Sequence, residues 1–95
     1  MRINRAGRLL ENKIKSLAVL TKIVRGLKRS GKKIVFTNGC FDLMHFGHAK
    51  YLQEAAKKGD ILVVAVNSDS SVKKIKAKGR PIIDEYNRLR LVAAL

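Results

Sequence analysis

Two short apolar runs constrain the fold of this chain more than any other feature. The second, Ile61–Val66 (ILVVAV), is a continuous apolar stretch of strand length, which is typical of a parallel strand covered on both faces. The first lies in KIVFT, is β-branched and aromatic, and predicts a buried strand that ends at the Asn–Gly turn after it. Between them, over residues 45–58, apolar and small residues recur at helical spacing. The sequence therefore predicts a parallel strand–helix–strand unit over residues 34–66, with a right-handed crossover.

A basic amphipathic segment precedes this unit. Apolar residues recur at helical spacing from Leu9 to Leu27, which predicts one helix that ends before RSGKK, where Gly31 suits a C-terminal cap. Residues 1–33 carry 11 Lys and Arg against one Glu, so most of the net charge of +14 lies there. We therefore divide the chain into a basic helical segment, residues 1–33, and the N-terminal half of an α/β domain, residues 34–95.

Polar and basic sequence follows the second predicted strand. NSDSS is predicted to form a polar loop and a helix start, KKIKAKGRP a basic loop, and Asp84 the N-cap of a last helix. The inner face of that helix is predicted to carry Tyr86, Leu89, Val92 and Ala93. No strand pattern remains after residue 83. Because two parallel strands are too few for a stable sheet, we expect this chain to be the first half of a larger domain, or to be completed by something else.

The polar segments after the two strands are expected to meet. In open parallel sheets, ligands bind outside the carboxyl ends of the strands. TNGCFD passes the end of the first predicted strand, and NSDSS passes the end of the second. Both segments should therefore line one crevice, although they are far apart in the sequence.

A pair of histidines stands at the mouth of this crevice. His45 and His48 are three residues apart, so they share one face of the helix in its first turn, beside unpaired backbone N–H groups and the positive end of the helix dipole. That is an anion site, and the imidazoles would add donors that are partly or fully charged near neutral pH. Gly47 leaves room for a phosphate to approach the backbone, and Gly39 gives the preceding turn conformational freedom.

Other interpretations of the two histidines stay open at this point. They could be surface residues that cap a helix, or they could be a metal pair. A structural zinc site needs about four ligands, and only Cys40 and Asp42 lie close in the sequence, so we predict no metal ligand. Neither the P-loop pattern nor the dinucleotide fingerprint G-x-G-x-x-G occurs. A phosphate would therefore be bound here by residues other than a P-loop or a dinucleotide-binding loop.

The composition and net charge indicate which partners and which cell compartment to expect. The net charge of +14 favours anionic partners, but a nucleic-acid module would interleave basic residues with aromatics, which make up only 5% of the chain. We therefore do not favour nucleic acid. No apolar run approaches the roughly 18 residues of a membrane span, and the single cysteine, Cys40, fits a reducing compartment. We predict a cytoplasmic protein without a membrane segment, with a transit peptide in MRINRAGR as the alternative.

One long segment resembles a known enzyme family. TNGCFDLMHFGHAKYLQEAAKKGDILVVAVNSD, in which H-x-G-H follows GCFD and a strand, resembles the HxGH-type nucleotidyltransferases. The likeness is greatest to the cytidylyltransferase-like adenylyltransferases that make ADP-heptose from heptose 1-phosphate, and it runs from about Lys13 to Leu95. It implies a Rossmann-like parallel sheet, of which this chain supplies the first half after an N-terminal amphipathic helix. It also implies a direct displacement at the α-phosphorus of ATP, with pyrophosphate leaving and Mg²⁺ as cofactor.

The resemblance assigns roles to individual residues. His45 and His48 match the catalytic histidines, which contact the nucleotide phosphates and stabilise the transition state. The implied nucleotide-binding residues are Asn38, Gly39, Cys40, Phe41, Gly47, Lys76 and Lys78. The implied substrate-binding residues are Asp42, Asn67, Asp69 and Arg88. Each has a simpler alternative as a turn residue, a helix cap or a solvated charge.

The resemblance also leaves points open. The family's later strands and its Ser/Thr-rich phosphate-binding motif would lie beyond Leu95, so the activity of this chain alone is an open question. The expected substrates are ATP or CTP and a sugar phosphate, with D-glycero-D-manno-heptose 1-phosphate preferred. The alternatives are a CTP-dependent enzyme of the glycerol 3-phosphate or phosphoethanolamine type, an FAD-forming adenylyltransferase, and a non-catalytic fragment that binds nucleotide. A homodimer is left open.

Overall fold

The structure, a computed structural model, describes residues 12–95. The helices and strands of this part of the chain are, in order, α1 Leu17–Arg29, β1 Ile34–Gly39, α2 Phe46–Ala56, β2 Ile61–Val66, α3 Asp69–Ile75 and α4 Glu85–Ala94. The predicted helix start at Leu9 and the basic sequence MRINRAGR lie outside the described residues. The division into residues 1–33 and 34–95 stays a prediction.

The two strands form the parallel pair that the sequence predicts. β1 pairs with β2 in register, from Ile34 opposite Ile61 to Gly39 opposite Val66. β2 has the predicted bounds, whereas β1 runs further than predicted and includes the Asn–Gly pair. The ladder extends that far because the backbone N–H of Asn67 still donates to the carbonyl of Gly39, at 3.0 Å. The turn therefore begins at the next residue.

The helix that the hydrophobic pattern predicts is interrupted, because residues 12 and 13 are helical and α1 begins only at Leu17 after a break. Residues 14–16 are not helical, and the Ser16 side chain caps the helix by accepting a hydrogen bond from the Val19 N–H at 3.3 Å. A serine that satisfies one of the free N–H groups of the first turn favours a helix start at that position. The predicted end is confirmed, because the helix stops at Arg29 and Gly31 follows with a φ of +82°. Among residues 12–95, no helix has the length and apolar character that crossing a bilayer requires.

The segment after β2 differs from the prediction in two places. The first three residues of the predicted basic loop, 73–75, belong to α3, because Ser68 caps that helix by accepting from the Ser71 N–H at 3.2 Å. Asp84 caps α4 as predicted and accepts from the Asn87 N–H at 2.9 Å. The predicted inner face of α4 is wrong at one position, since Tyr86 is exposed and the adjacent turn instead buries Arg88.

The buried part of the molecule is small and partly polar. Phe41, Leu52 and Val72 are its buried apolar side chains, and Asp42 and Arg88 are buried with them. Arg88 lies at the carboxyl ends of the two strands, where it donates to the carbonyls of Cys40 and Asn67. Part of the buried region therefore forms the floor of the predicted crevice.

Candidate functional site

The carboxyl ends of the two strands are joined directly, as the sequence predicts for one crevice. Arg88 from α4 donates through Nη1 to the carbonyl of Cys40 at 2.6 Å and to the carbonyl of Asn67 at 2.7 Å. Its Nε donates to the Ile83 carbonyl at 2.8 Å, and its Nη2 donates to Asp69 at 2.8 Å. One guanidinium thus binds both strand ends and the segment before α4.

Arg88 lies beneath the site rather than at its surface. Its side chain is fully buried, whereas that of its ion-pair partner Asp69 is partly exposed. Each guanidinium nitrogen donates to a protein group. A direct contact between Arg88 and a substrate, which the resemblance implies, would need one of those protein groups to move.

Asp42 forms a second tie between the loop after β1 and the segment before α4. Its side chain is 1% exposed and accepts hydrogen bonds from the N–H groups of Ile82 (3.0 Å) and Ile83 (2.9 Å) and from Nε of Arg80. Burial opposes ionisation of the carboxyl, but these two backbone donors and the Arg80 guanidinium outweigh it and lower the pKa of Asp42 to about 2. Both oxygens of this predicted substrate-binding residue are therefore committed to the protein.

The backbone on either side of Asp42 is strained. Phe41 and Leu43 have φ values of +52° and +53°, and a non-glycine residue in this region costs about 1–2 kcal/mol. The buried Phe41 ring helps to hold the loop, since a Cβ at position 39 would lie 2.9 Å from its Cε2 atom. Gly39 is thus required for space under that ring, whereas the sequence argument assigned it a role in turn flexibility.

The two motif histidines cap α2 together. His45 is the N-cap residue, and its Nδ1 accepts from the Gly47 N–H at 3.0 Å. The Nδ1 of His48 accepts from the His45 N–H at 3.2 Å, which completes a capping box. Because each Nδ1 is an acceptor, a neutral ring carries its proton on Nε2. Both imidazoles can therefore offer an Nε2–H donor without a positive charge.

The electrostatic surroundings of His48 favour the same neutral form. Burial, and then the nearby His45 and Lys76, lower the pKa of His48 below its usual value. The sequence argument had allowed for a charged ring, and the capping geometry explains the difference, because protonation at Nδ1 would remove the acceptor of the His45 N–H.

Gly47 is needed to make room for the His45 ring, which the spacing alone did not reveal. A Cβ at this position would lie 2.6 Å from Cε1 and 2.9 Å from Nδ1 of His45. The glycine lets the His45 ring fold back over the first turn of α2. The H-x-G-H spacing is thus the spacing of a two-histidine cap, in addition to any room that it leaves for a ligand.

Most of the predicted site residues border one cavity. Residues 38–42, His48 and Lys76 line a cavity of about 190 Å³, together with Tyr51 and Arg80. His45 and Gly47 adjoin it through the cap, and the His45 and His48 ring centres are 4.2 Å apart. The geometry therefore brings backbone, imidazole and ammonium groups to the end of β1.

Six predicted residues do not line this cavity. His45 and Gly47 belong to the adjoining helix cap and Arg88 lies beneath it; the other three are Lys78, Asn67 and Asp69. Lys78 lines a second cavity, of about 430 Å³, on the basic loop. Asn67 turns its side chain to Ser71 and donates to Oγ at 2.8 Å, and Asp69 pairs with Arg88. The end of β2 therefore supports the floor of the site.

Tyr51 and Arg80 border the cavity, although the sequence argument did not select them. The Tyr51 hydroxyl shares a hydrogen bond of 2.7 Å with Thr37 on β1. Tyr51 follows His48 by three residues, so its position on the same helix face is a signal that could have found it. Arg80 has no such local signal, because its contact with Asp42 spans 38 positions.

Comparison with known proteins places this geometry in a family. The family model described as "Cytidylyltransferase-like" matches residues 36–95, which hold most of β1, all of β2, the histidine cap and the cavity. The chain belongs to this cytidylyltransferase-like family, as the resemblance predicted, and its parallel sheet is Rossmann-like.

Individual relatives extend the similarity to the N-terminal helix. "Bifunctional protein HldE" of Geobacter metallireducens is 57% identical over 83 residues, which is 87% of this chain and 17% of that protein. The protein of the same name from Campylobacter jejuni subsp. doylei is 54% identical over 84 residues, 88% of this chain and 18% of that protein. This chain thus spans less than a fifth of these curated relatives.

A solved structure supports the fold. The crystal structure titled "lipopolysaccharide core biosynthesis protein from Thermoplasma volcanium GSS1" superposes with a TM-score of 0.62 and 42% identity. The match covers 67% of this chain and 51% of that one.

Proposed function

We propose that this chain forms the phosphate-binding half of a nucleotidyltransferase that transfers AMP from ATP to a sugar phosphate and releases pyrophosphate. One observation carries the proposal. Two histidine Nε2–H donors stand at the positive end of a helix, beside Lys76 and at the carboxyl ends of parallel strands. Such an arrangement suits the oxygens of a polyphosphate.

In the proposed reaction, a phosphate oxygen of the sugar phosphate attacks the α-phosphorus of ATP. The bond from the α-phosphorus to the bridging oxygen breaks, and its electron pair leaves with pyrophosphate. No side chain forms a bond to phosphorus. His45 and His48 would donate to the oxygens that gain charge, so catalysis rests on positioning and charge stabilisation.

The proposed acceptor is a heptose 1-phosphate. Support comes from the similarity to the HldE relatives and to the Thermoplasma lipopolysaccharide core biosynthesis protein. The family's own description favours the second candidate, a CTP-dependent cytidylyltransferase with an acceptor such as glycerol 3-phosphate. The third candidate function is the binding of a nucleotide without turnover.

Mg²⁺ would enter with the nucleotide. Asp42 is the carboxylate at the cavity, and both its oxygens already accept hydrogen bonds, so it does not fit as a ligand in this arrangement. Mg²⁺ commonly keeps several waters and binds substrate phosphates, where it would offset the charge of the leaving pyrophosphate. The cytoplasmic location and the homodimer stay predictions.

The proposal is tested with a chimera in which this chain replaces the matching segment of the Geobacter relative. Pyrophosphate release is measured with ATP or CTP against heptose 1-phosphate and glycerol 3-phosphate. We expect turnover with ATP and heptose 1-phosphate, and a loss of roughly 100-fold or more in kcat for His48→Ala. Lys58→Gln, which removes a charge at the opposite end of the sheet, is the matched control.

The outcomes separate the candidates. Turnover with CTP alone would replace AMP transfer by CMP transfer. Nucleotide binding without pyrophosphate release would support the non-catalytic alternative. If no pair releases pyrophosphate and His48→Ala leaves nucleotide binding unchanged, the proposal is wrong.

A further inference from the structure

Arg80 lies between the buried carboxylate of Asp42, to which it is hydrogen-bonded, and the cavity of about 190 Å³. Its Nε donates to Oδ2 of Asp42, and the same carboxylate is held by the N–H groups of Ile82 and Ile83. One edge of the guanidinium is therefore fixed by a buried and firmly bonded partner. The side chain as a whole is still 31% exposed.

The opposite edge of the same guanidinium is available. An arginine has five N–H donors in one plane, and the Nε donor accounts for one of them. Within residues 12–95, the Nη1 and Nη2 groups of Arg80 have no hydrogen-bond partner. Four donors in a fixed plane therefore remain for a ligand, at the border of the 190 Å³ cavity.

Two further donors converge on that cavity. His48 offers Nε2–H, because its Nδ1 is committed to the helix cap, and Lys76 lines the same space. The charge of Lys76 also reaches the His48 ring, where it disfavours protonation. The carboxylate at this border, that of Asp42, accepts three hydrogen bonds, and one of them comes from the Arg80 guanidinium, whose positive charge offsets its own.

We propose that Arg80 is a phosphate-binding residue of this site. Asp42 holds its Nε, and its Nη groups donate hydrogen bonds to one phosphate group. Lys76 and His48 bind the same phosphate group from other sides. A planar guanidinium matches two phosphate oxygens at once, and an anchored one loses less conformational entropy when it binds. The inference deepens the proposed function, on which it depends for the identity of the phosphate-bearing substrate. That substrate is either the nucleotide or the sugar phosphate.

The same reasoning distinguishes Arg80 from Lys78. Lys78 is the loop residue that the family resemblance selected, yet it lines the second cavity and lacks an anchoring partner in the described chain. Arg80 borders both cavities and is held in place. The loop would therefore contribute Lys76 and Arg80 to the phosphate.

The first experiment uses the chimera, because a two-stranded sheet alone is marginally stable, and inorganic pyrophosphate as the probe. In ¹⁵N-labelled protein, the Arg80 Nε–Hε and His48 Nε2 signals should shift saturably during the titration. Arg80→Gln should raise the dissociation constant for pyrophosphate roughly 10- to 100-fold. Arg80→Lys keeps the charge but lacks the planar fork, and should recover only part of the loss. Lys58→Gln should change the constant less than about twofold.

Two results would overturn the inference. One is a change of less than twofold for Arg80→Gln, and the other is full recovery by Arg80→Lys, which would mean that charge alone matters. If Arg80→Gln fails to fold, the wild-type titration still decides, because an Arg80 Nε–Hε signal that does not move while His48 shifts excludes the contact.

The second experiment identifies which phosphate is bound. In the chimera, Arg80→Gln raises the KM for ATP if the phosphate belongs to the nucleotide, and raises the KM for the sugar phosphate if it belongs to the acceptor. An unchanged KM for both, with kcat intact, contradicts the inference while the proposed function stands. A chimera without any turnover would contradict the proposed function, and the pyrophosphate titration would then decide the role of Arg80 by itself.

Discussion

Two sets of charged and polar residues occupy the same end of the sheet and differ in what surrounds them. The inner set, Asp42 and Arg88, is buried, and its polar atoms are bonded to backbone groups and to oppositely charged side chains. The outer set, His45, His48 and Lys76, reaches solvent. Family resemblance assigns ligand contacts to both sets. The comparison teaches that burial and existing bonds, rather than charge, decide which residues build the site and which remain for a ligand.

The inner set also explains how a strained loop persists. Phe41 and Leu43 take left-handed backbone conformations, and the intervening Asp42 is held by two backbone donors and Arg80. Arg88 then fixes the carbonyl just before this loop. The outer histidines are thus presented by a loop that is tied at both ends.

Arg88→Leu should have the largest effect and would break the inner set. The carbonyls of Cys40, Asn67 and Ile83 would lose their donor inside the protein, and we expect a loss of about 3 kcal/mol or more in the free energy of unfolding. Urea denaturation followed by circular dichroism measures it. Arg25→Leu on exposed α1 is the matched control, with an expected change of about 0.5 kcal/mol or less. Equal losses in the two variants would mean that Arg88 is not a structural tie.

Asp42→Asn should show a stability loss that depends on pH. The folded-state pKa of Asp42 is about 2, below the ordinary value of 3.8, so its carboxylate stabilises the fold above pH 3.8, and this contribution is lost as the pH falls towards 2. The urea midpoint of Asp42→Asn should therefore lie below that of the wild type near neutral pH. The gap should close in acid. A gap that stays constant down to pH 2 would show that ionisation of Asp42 does not contribute.

Two substitutions of His48 sharpen the description of the outer set. His48→Gln keeps an acceptor for the His45 N–H, as in an ordinary capping box, whereas His48→Leu removes it and should cost about 1 kcal/mol of stability. Both should weaken pyrophosphate binding, because neither keeps the imidazole whose Nε2–H is aimed from the cap. If the two variants are equally stable, the histidine cap contributes nothing to the fold.

The same pair tests the protonation state of His48. Because the folded-state pKa of His48 lies below its ordinary value of 6.5, its contribution to stability is complete above pH 6.5 and is lost as the pH falls below it. The wild type should therefore lose stability relative to His48→Gln on acidification through this range. Parallel pH profiles would contradict the neutral-ring assignment.

Gly47→Ala should have the smallest effect on stability and still change the site. The new Cβ would displace the His45 ring, which costs about 1 kcal/mol of capping, while alanine gains up to about 1 kcal/mol over glycine in a helix. The net change should be near zero, yet pyrophosphate binding should weaken about tenfold as one donor moves away. Gly26→Ala, which meets no atom within 4 Å, should only stabilise α1. Unchanged binding in Gly47→Ala would show that the His45 ring position is unimportant.

Sequence reasoning performed well wherever the signal was local. The bounds of β2, the parallel pairing, the end of α1 and the Asp84 cap are confirmed, because hydrophobic period and capping chemistry depend on near neighbours. It was wrong about the continuity of the N-terminal helix, which is interrupted at residues 14–16 before the Ser16 cap, and about Tyr86, where the helix buries Arg88 instead. A helix cap was one of the interpretations that the sequence left open for the two histidines, and the structure shows it. The need of that cap for Gly47 required coordinates.

The sequence by itself determined the strand–helix–strand order, the place of the two histidines at the head of a helix and the family of the chain. Only the tertiary structure decided which charged groups are bonded inside the protein and which reach the cavity or solvent. Arg80 meets Asp42 across 38 positions, and Arg88 meets Cys40 across 48. Burial of a charge depends on the segments that pack around it, and no pattern of neighbouring residues records those segments.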